Sequence, residues 1–300
     1  MGKTEHFLVR FWGVRGSYPA PGPHTLRHGG NTTCVEVQAG SHTLILDAGS
    51  GIIGLGNDLL RRTNGEELTA SLFITHGHGD HLMGFPFFSP LYAPQASISI
   101  FGPRLAEQNI EQLVTPIMSP PYFPVDIRSL PSCRTFYTIT DGEHITWRPE
   151  DLEPIVGPEG EDIQDADVRV ISKSTTCHPQ NGASFYRIEH AGRCLVFATD
   201  VEWQEQHDAD FISFAKGADL LIHDAQYTDD DYRQVKRGFG HCNVTMATET
   251  ALAAGVGRLV LFHHEPTYDD DQLDRMEAEA RTSFANTYSA YEGMEIDLLA

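Results

Sequence analysis

Residues 75–81, with the sequence THGHGDH, hold three histidines and one aspartate in seven positions. The glycines between the histidines make a regular helix unfavourable. In an extended segment, side chains two residues apart point the same way, so His76 and His78 can bind one ion. Asp80 and His81 then face another direction and can hold a second ion. Imidazole and carboxylate groups are ligands for zinc, manganese and iron, so this spacing predicts a metal site.

Four side chains cannot complete two metal sites, so further ligands must come from elsewhere in the chain. The candidates follow predicted strands: His178 ends STTCHP, Asp200 ends LVFATD, and RLVLFHH offers His263 or, as the weaker alternative, His264. Asp47 in LILDAGSG also follows a strand, and is either a supporting carboxylate or a plain turn residue. Because the ends of adjacent strands meet at one rim of a sheet, these residues are predicted to lie together.

Strand patterns are frequent, and in the second half of the chain they alternate with helical ones. Strands are predicted at 7–14, 32–38, 42–48, 71–76, 97–102, 168–178, 184–190, 193–199, 219–225 and 258–264. Helices are predicted near 53–62, 104–114, 229–236, 244–254 and 270–286. Two sheets with helices packed outside them satisfy this pattern, which is an α/β architecture. We identify no linker, so residues 1–300 are predicted to form a single domain.

Two segments have an irregular pattern. The segment at about 86–131 contains 9 of the 17 prolines, so it is predicted to be a lid or a subunit interface without long regular elements. Its aromatic residues are either part of the core or available to a base or a partner. Residues 149–167 contain eight acidic residues and no basic one, which predicts a solvated loop.

The formal charge of the 300-residue chain is −21. Such a charge repels nucleic acid at long range, and phosphate contacts dominate nucleic-acid affinity. We identify Arg61 and Arg62 as a basic pair and no other Lys/Arg cluster. The charge therefore favours a small substrate and disfavours nucleic acid as a partner.

Composition also bears on the compartment of the protein. The five cysteines are scattered without a CxxC pair, which argues against a disulfide framework and against sulfur-ligated zinc. The first residues lack the pattern of a signal peptide, and no apolar run reaches the roughly 18 residues of a membrane span. These features predict a cytoplasmic protein without membrane contact.

The THGHGDH run, with Asp47 before it and His178, Asp200 and His263 after it, resembles the metallo-β-lactamase superfamily over about residues 7–265. The resemblance implies a four-layer αβ/βα sandwich with two divalent metal ions at one edge, Zn²⁺ being favoured over Mn²⁺ or Fe²⁺, and a homodimer. It implies seven ligands: for the first ion His76, His78 and His178; for the second Asp80, His81 and His263; and, bridging both ions, Asp200. Asp47 would support the ligands from behind.

Two further stretches resemble motifs of ribonuclease Z, the transfer-RNA 3′-processing endonucleases of this superfamily. These stretches are LLIHDAQY at 220–227 and GHCNVTMATETA at 240–251. The resemblance implies that Asp224 orients His241 towards the scissile phosphate, whereas the alternative is a residue that caps a helix start. The motifs depart from the family in detail, with HDAQ and GHCN in place of HEAT-like and GHST-like stretches. His223 is expected to be a packed histidine.

Together these features predict a dinuclear-metal phosphodiesterase with Asp80, Asp224 and His241 as catalytic residues. The N-terminal FWGVRGS stretch resembles bacterial phosphodiesterases, some of which cleave cyclic nucleotides, so 3′,5′-cyclic nucleotides are the predicted substrate. Attack would come from a hydroxide bridging the two metals. The alternatives are a ribonuclease Z-like endonuclease, a lactone or thioester hydrolase, and a non-catalytic nucleotide-binding protein. We favour a small diester over RNA because Arg104 and Arg128 are the only cations of the 86–131 segment.

Overall fold

The computed structural model describes residues 6–149, 151–158, 166–179, 182–203 and 209–300. Within these ranges, two β-sheets pack face to face and helices cover their outer faces. This arrangement confirms the predicted four-layer αβ/βα sandwich. In the same ranges, none of the helices combines the length and the apolar character that a membrane crossing requires.

The first sheet has seven strands and the second has eight. The first contains β1 (Phe7–Gly13), β2 (Cys34–Ala39), β3 (His42–Leu46), β4 (Leu68–Phe73), β5 (Ala96–Pro103), β6 (Cys133–Ile139) and β15 (Glu295–Asp297), in the order β15-β1-β2-β3-β4-β5-β6. The second contains β7 (His144–Trp147), β8 (Ile155–Gly157), β9 (Val168–Thr175), β10 (Ala183–His190), β11 (Arg193–Ala198), β12 (Leu220–Asp224), β13 (Leu259–Phe262) and β14 (Thr287–Ser289), in the order β14-β13-β12-β11-β10-β9-β7-β8.

The main core lies between the two sheets and is built from large apolar side chains. Strand β1 alternates buried and half-buried residues, so one face of it is turned towards this core. The ring of Phe11 on β1 contacts that of Phe262 on β13, with 6.0 Å between centroids, and Phe197 on β11 packs on the same ring at 5.6 Å. Full burial of each such side chain stabilises the fold by about 1.5–3 kcal/mol.

Helices form the two outer layers. They are α1 (Gly51–Thr63), α2 (Gly79–Leu82), α3 (Ile110–Val114), α4 (Ala209–Ala215), α5 (Asp229–Asp231), α6 (Val244–Ala254) and α7 (Asp270–Ser283). Helix α1 packs on the first sheet, and α4, α6 and α7 pack on the second. Side-chain caps begin the last two helices: Asn243 accepts a hydrogen bond from the amide of Met246, and Asp269 accepts one from the amide of Gln272.

Several predicted elements differ from the structure. The predicted helix at 104–114 is wrong in its first half, because Ala106 and Glu107 adopt left-handed backbone angles and the helix begins only at Ile110, behind an Asn109 cap. Five strands were not predicted from the sequence: β6, which has seven residues, and the short strands β7, β8, β14 and β15. Strand β8 lies inside the acidic segment that was predicted to be a loop, and residues 150 and 159–165 of that segment lie outside the described ranges.

The proline-rich segment contributes to the core. Phe85 and Phe88 are completely buried in the cluster under the first sheet, whereas Phe87 and Tyr122 are exposed. Core packing therefore explains part of its aromatic content.

Three expectations from the sequence stay predictions: the role of the 86–131 segment as a lid or an interface, the homodimer, and the single domain over 1–300. Light scattering would test the dimer.

Candidate metal centre

The predicted ligands gather at one rim of the sandwich because of the strand directions. Strands β3 and β4 run parallel in the first sheet, and β11, β12 and β13 run parallel in the second. Their carboxyl ends open to the same rim, where ligands commonly bind in sheets of this kind. Asp47 follows β3, Asp200 follows β11, Asp224 ends β12 and His263 follows β13.

The first group of side chains consists of three histidines and one aspartate. One ligand atom from each of His76, His78, His178 and Asp200 lies within 4.8 Å of all the others. Nε2 of His178 is 3.0 Å from Nδ1 of His78, and 3.6 Å from Oδ1 of Asp200. Nε2 of His76 is 3.5 Å from the same oxygen and, within the described part of the chain, has no hydrogen-bond partner although it is buried. Four potential ligand atoms that converge, one of them a buried nitrogen without a hydrogen-bond partner, fit a cation site.

The second group contains Asp80, His81 and His263, again with one ligand atom each within 4.8 Å. Oδ2 of Asp80 is 3.3 Å from Nε2 of His81 and 3.2 Å from Nε2 of His263. The two histidine nitrogens are 3.2 Å apart. These three atoms point at a common position that could hold a second cation.

Asp200 faces both groups, with one carboxylate oxygen towards each. Its Oδ1 is directed to His76 and His178, whereas its Oδ2 lies 3.1 Å from Nε2 of His81 and 3.3 Å from Nε2 of His263. A carboxylate whose two oxygens face two ligand groups has the geometry of a bridging ligand. The structure thus places all seven predicted ligands in one cluster, and their role as metal ligands is carried forward as a proposal.

Three residues behind the ligands orient the imidazole rings. Asp47 accepts a hydrogen bond from Nδ1 of His81 at 2.8 Å, so the Nε2 lone pair of that ring is directed into the cluster. Nδ1 of His178 donates to the carbonyl of Gly240 at 2.9 Å. Nδ1 of His263 lies 3.2 Å from Oε1 of Gln226. Such contacts select the ring nitrogen that is free to bind a cation.

The electrostatics of the cluster also suit cations. Burial lowers the pKa of His76, His78 and His178, which keeps their imidazoles neutral and able to donate a lone pair. Burial alone would lower the pKa of His81 too, but the charges of Asp200, Asp80 and Asp47 raise it. The cluster therefore concentrates negative charge that a pair of divalent cations would balance.

The backbone is strained at three of these positions. Asp47, Asp200 and His263 have φ angles of 62°, 61° and 63°, in the left-handed region. Such conformations cost about 1–3 kcal/mol each in residues other than glycine and concentrate at functional sites. At each of the three, the strand has just ended and the turn directs the side chain towards the cluster.

Asp224 and His241 form a hydrogen-bonded pair beside the cluster. Oδ2 of Asp224 accepts from Nδ1 of His241 at 2.7 Å, and the His241 ring stacks on that of His263 with 4.8 Å between centroids. Burial disfavours the charged form of His241, but the charge and hydrogen bond of Asp224 outweigh burial and raise its pKa. Asp224 also accepts from the amide of Gln226 at 3.1 Å. It ends β12, and the next helix, α5, begins only at Asp229 behind a Thr228 cap, so Asp224 is not a helix cap.

Two histidines left open by the sequence lie away from the cluster. His264 bonds the carbonyl of Ala290 through Nε2 at 3.0 Å, so His263 is the residue that joins the ligand group. His223 accepts a hydrogen bond from the Trp203 indole at 3.1 Å, as expected for a packed histidine. Successive side chains along a strand point to opposite faces, so the neighbours of these two histidines, His263 and Asp224, point to the cluster while the histidines themselves do not.

The sequence analysis missed three residues that position the site. Ser17 donates its amide to Oδ2 of Asp80 at 2.7 Å, and Gln226 contacts both His263 and Glu265. Glu202 accepts hydrogen bonds from backbone amides next to His241. A signal for Gln226 was available, since it follows Asp224 by two residues in the HDAQ stretch.

A surface cavity lies far from these side chains. It measures about 460 Å³ and opens at the other end of β10 and β11. Its Arg187 and Arg193 pair with Glu189 and Asp219, at 2.7 Å and 2.8 Å. A pocket of only about 90 Å³, lined in part by Leu105 and Leu113, borders His76 and His78. Since the candidate ligands His76 and His78 border the smaller pocket, this rim is the candidate reaction site.

Replacing Asp47 with asparagine is expected to weaken metal binding about 10- to 100-fold, the usual cost of losing a supporting contact. The carboxylate accepts from the Thr75 amide, from the Thr75 hydroxyl and from His81, and a single amide oxygen cannot satisfy all three donors. Chelator competition would measure the affinity. Asp58→Asn on α1, which removes a carboxylate paired with Arg62, is the matched control; equal affinities in the two variants would contradict the role of Asp47.

Comparison with known proteins agrees with this geometry. A family model described as a beta-lactamase superfamily domain matches residues 42–264. The chain belongs to this superfamily. Membership confirms the predicted resemblance and the prediction of a metal-dependent hydrolase.

Relatives within the superfamily match almost from end to end. Ribonuclease Z of Thermoplasma acidophilum is 26% identical over 98% of this chain and 97% of its own length. Ribonuclease Z of Gemmatimonas aurantiaca is 28% identical, over 97% of this chain and 96% of its own. Among solved structures, the metallo-beta-lactamase fold protein YhfI from Bacillus subtilis superposes with a TM-score of 0.67 at 18% identity, covering 98% of this chain and 100% of the other. Human tRNase Z, short form, has a TM-score of 0.64 at 19% identity, covering 96% and 98%.

These relatives correct two predictions. Both curated relatives named above are ribonucleases Z, so the prediction of cyclic nucleotides as the substrate is wrong, and so is the prediction that nucleic acid is disfavoured. The choice of cyclic nucleotides rested on the resemblance of the N-terminal stretch, and the rejection of nucleic acid rested on net charge. Net charge misleads because salt screens distant charges beyond about 8 Å and phosphates respond to local cations. It also overlooked a local cluster, since Arg233, Lys236 and Arg237 lie within five residues.

Proposed function

We propose that this protein is a ribonuclease Z-like endonuclease that hydrolyses a phosphodiester bond near the 3′ end of precursor transfer RNA. The observation that carries the proposal is the Asp224–His241 pair, 2.7 Å apart, beside the cluster of seven candidate ligands. Both motifs that supply this pair resemble those of ribonuclease Z. The end-to-end similarity to curated ribonucleases Z supports the same reading.

In this proposal the ligand cluster holds two divalent cations. His76, His78 and His178 would hold one, Asp80, His81 and His263 the other, and Asp200 both. Ligands without sulfur suit Zn²⁺, with Mn²⁺ and Fe²⁺ as alternatives. When bound, such a pair stabilises negative charge on phosphoryl oxygens and lowers the pKa of a bound water.

The protein side chains have separate roles in this reaction. His241 donates Nδ1–H to Asp224, which leaves Nε2 as the ring nitrogen available to the substrate. From there it would protonate the departing ribose oxygen, a contribution of about 10²–10⁴-fold. Asp224 holds the tautomer and the orientation of the ring. Asp80, held by the Ser17 amide, keeps its assignment as a catalytic residue together with its role as a ligand.

The pair at Asp224 and His241 favours phosphodiester hydrolysis over acyl transfer. Cleavage of a lactone or thioester at a metal centre does not require a proton donor held by a buried carboxylate. A non-catalytic nucleotide-binding protein would not need to retain all seven candidate ligands, and all seven converge here.

Incubation of the metal-loaded protein with a precursor transfer RNA bearing a 3′ trailer would test the function. We expect one cut at the 3′ end of the transfer-RNA body, seen as a released trailer on a sequencing gel. Bis-p-nitrophenyl phosphate serves as a second substrate that reports the metal centre alone. Hydrolysis of this small diester without any cleavage of the RNA would contradict the proposal, and precursor RNA lacking the trailer is the negative control.

A further inference from the structure

The basic cluster near His241 lies on a segment of unusual backbone, residues 232–240, which we name the rim loop. It starts with a π-helical turn at Tyr232–Lys236 and continues through Gly238 and Gly240, whose φ angles are 88° and 91°. Such turns occur often at functional sites. The loop leads directly into His241.

Glu202 holds the rim loop in this shape. Its carboxylate accepts hydrogen bonds from the amides of Gly238 at 2.6 Å and Gly240 at 2.8 Å, and from the Tyr232 hydroxyl at 2.8 Å. A Cβ added to Gly240 would lie 2.8 Å from the ring of His178, so the loop backbone runs against a candidate metal ligand. The rim loop is therefore pre-shaped and borders the cluster.

Aromatic contacts place the loop on the His241 side of the site. The ammonium of Lys236 lies 5.2 Å from the centre of the Tyr227 ring and 5.6 Å from that of Phe239. The Tyr227 ring in turn packs edge-on against His241, with 5.9 Å between centroids. His241 is the proposed proton donor, so this side is where the leaving strand of a diester would depart.

Charges on the loop differ in how they are compensated. Arg233 is paired with Asp230, and Lys236 lies 3.3 Å from Oε2 of Glu265. The exposed guanidinium of Arg237 has no carboxylate within 4.0 Å among the residues that the structure describes. Two positions further on, Phe239 exposes 57% of its surface. An uncompensated guanidinium thus stands beside an exposed aromatic ring.

We infer that the rim loop binds single-stranded RNA next to the scissile phosphate, an inference that rests on the proposed function. Arg237 binds a backbone phosphate and Phe239 stacks on an unpaired base. Guanidinium–phosphate contacts and base–aromatic stacking are the contacts by which proteins hold single strands. In a chain of charge −21, such local contacts must overcome long-range repulsion, which explains how an acidic protein can accept a polyanion.

Steady-state kinetics on precursor transfer RNA at several salt concentrations tests this inference. For Phe239→Ala we expect KM to rise about tenfold, as for the loss of one stacked base. For Arg237→Ala we expect a several-fold rise, and a salt dependence of log(1/KM) that is shallower by about 0.7, the value for one phosphate contact on a single strand. Arg237→Lys keeps the charge and should restore the slope, whereas kcat should change little in all three.

Arg275→Ala and Tyr291→Ala are matched controls, since they remove an exposed arginine and an exposed aromatic residue outside the rim loop. Metal content is measured in every variant to exclude damage to the cluster. If the loop variants match these controls in KM and in salt slope while the wild type cleaves the RNA, the inference alone is overturned. If the wild type hydrolyses bis-p-nitrophenyl phosphate but leaves the RNA intact, the proposed function fails and this inference fails with it.

Discussion

Replacing Asp200 with asparagine is expected to reduce metal content below two ions per chain and to slow hydrolysis by about 10³-fold, equivalent to about 4 kcal/mol in the barrier. Asp200 turns one carboxylate oxygen to each ligand group, at 3.5 Å from Nε2 of His76 and 3.1 Å from Nε2 of His81. Its loss removes a ligand and a negative charge from both positions at once. Asparagine is the appropriate replacement because it tolerates the left-handed backbone found there.

Elemental analysis after gel filtration, together with turnover of bis-p-nitrophenyl phosphate, would measure both effects. Asp271→Asn, at an exposed carboxylate on α7, is the control for a change of charge alone. Circular dichroism checks that the variant is folded. Two ions per chain and undiminished turnover in Asp200→Asn would contradict the bridging geometry as the basis of the site.

Replacing His241 with alanine is expected to slow cleavage of precursor transfer RNA by about 10²–10⁴-fold while two metal ions per chain remain. The reason is that Asp224 holds His241 through Nδ1, which leaves Nε2 for the substrate, while the two groups that contain the seven candidate ligands are complete without this ring. Asp224→Asn should slow the reaction in the same direction by disturbing the orientation of the ring. The double variant should be little worse than His241→Ala, since the two residues act as one unit.

The leaving group provides an internal control for this role. p-Nitrophenolate leaves without protonation, so bis-p-nitrophenyl phosphate should lose much less activity in His241→Ala than the RNA, whose ribose oxygen is a far stronger base. His241 also lies within 4.8 Å of ligand atoms on Asp200 and His263, which makes metal binding its competing role. A loss of metal in His241→Ala, with equal losses on both substrates, would support that competing role and refute the role of proton donor.

Local sequence was enough to predict that four of the candidate ligands lie together. The THGHGDH run places four side chains within reach of each other whatever the rest of the chain does, because their separation along the backbone is short. His178 and Asp200 were predictable as well, since each follows a strand pattern and the ends of neighbouring strands share a rim. Strand β1 and helix α7 lie close to the ranges predicted for them, 7–14 and 270–286.

Sequence patterns failed where weak local signals depended on neighbours. Strands β8, β14 and β15 have three residues each, too few for periodicity to be visible, and they form because an adjacent strand supplies the hydrogen bonds. The helix predicted from 104 began late because two left-handed residues precede it. Nucleic acid was wrongly disfavoured on the basis of the total charge, which does not say where on the protein the charges lie.

The sequence by itself determined the kinds of side chain in the candidate site and the sandwich, because both follow from residue type and from spacing along the chain. Only the tertiary structure decided that His263 and not His264 joins the cluster, and that Asp200 turns one oxygen to each ligand group. Only the tertiary structure shows that Glu202 contacts the rim loop and that Gln226 contacts His263. The physical reason is that hydrogen bonds and metal coordination act over about 3 Å, and only folding brings residues distant in sequence to that range.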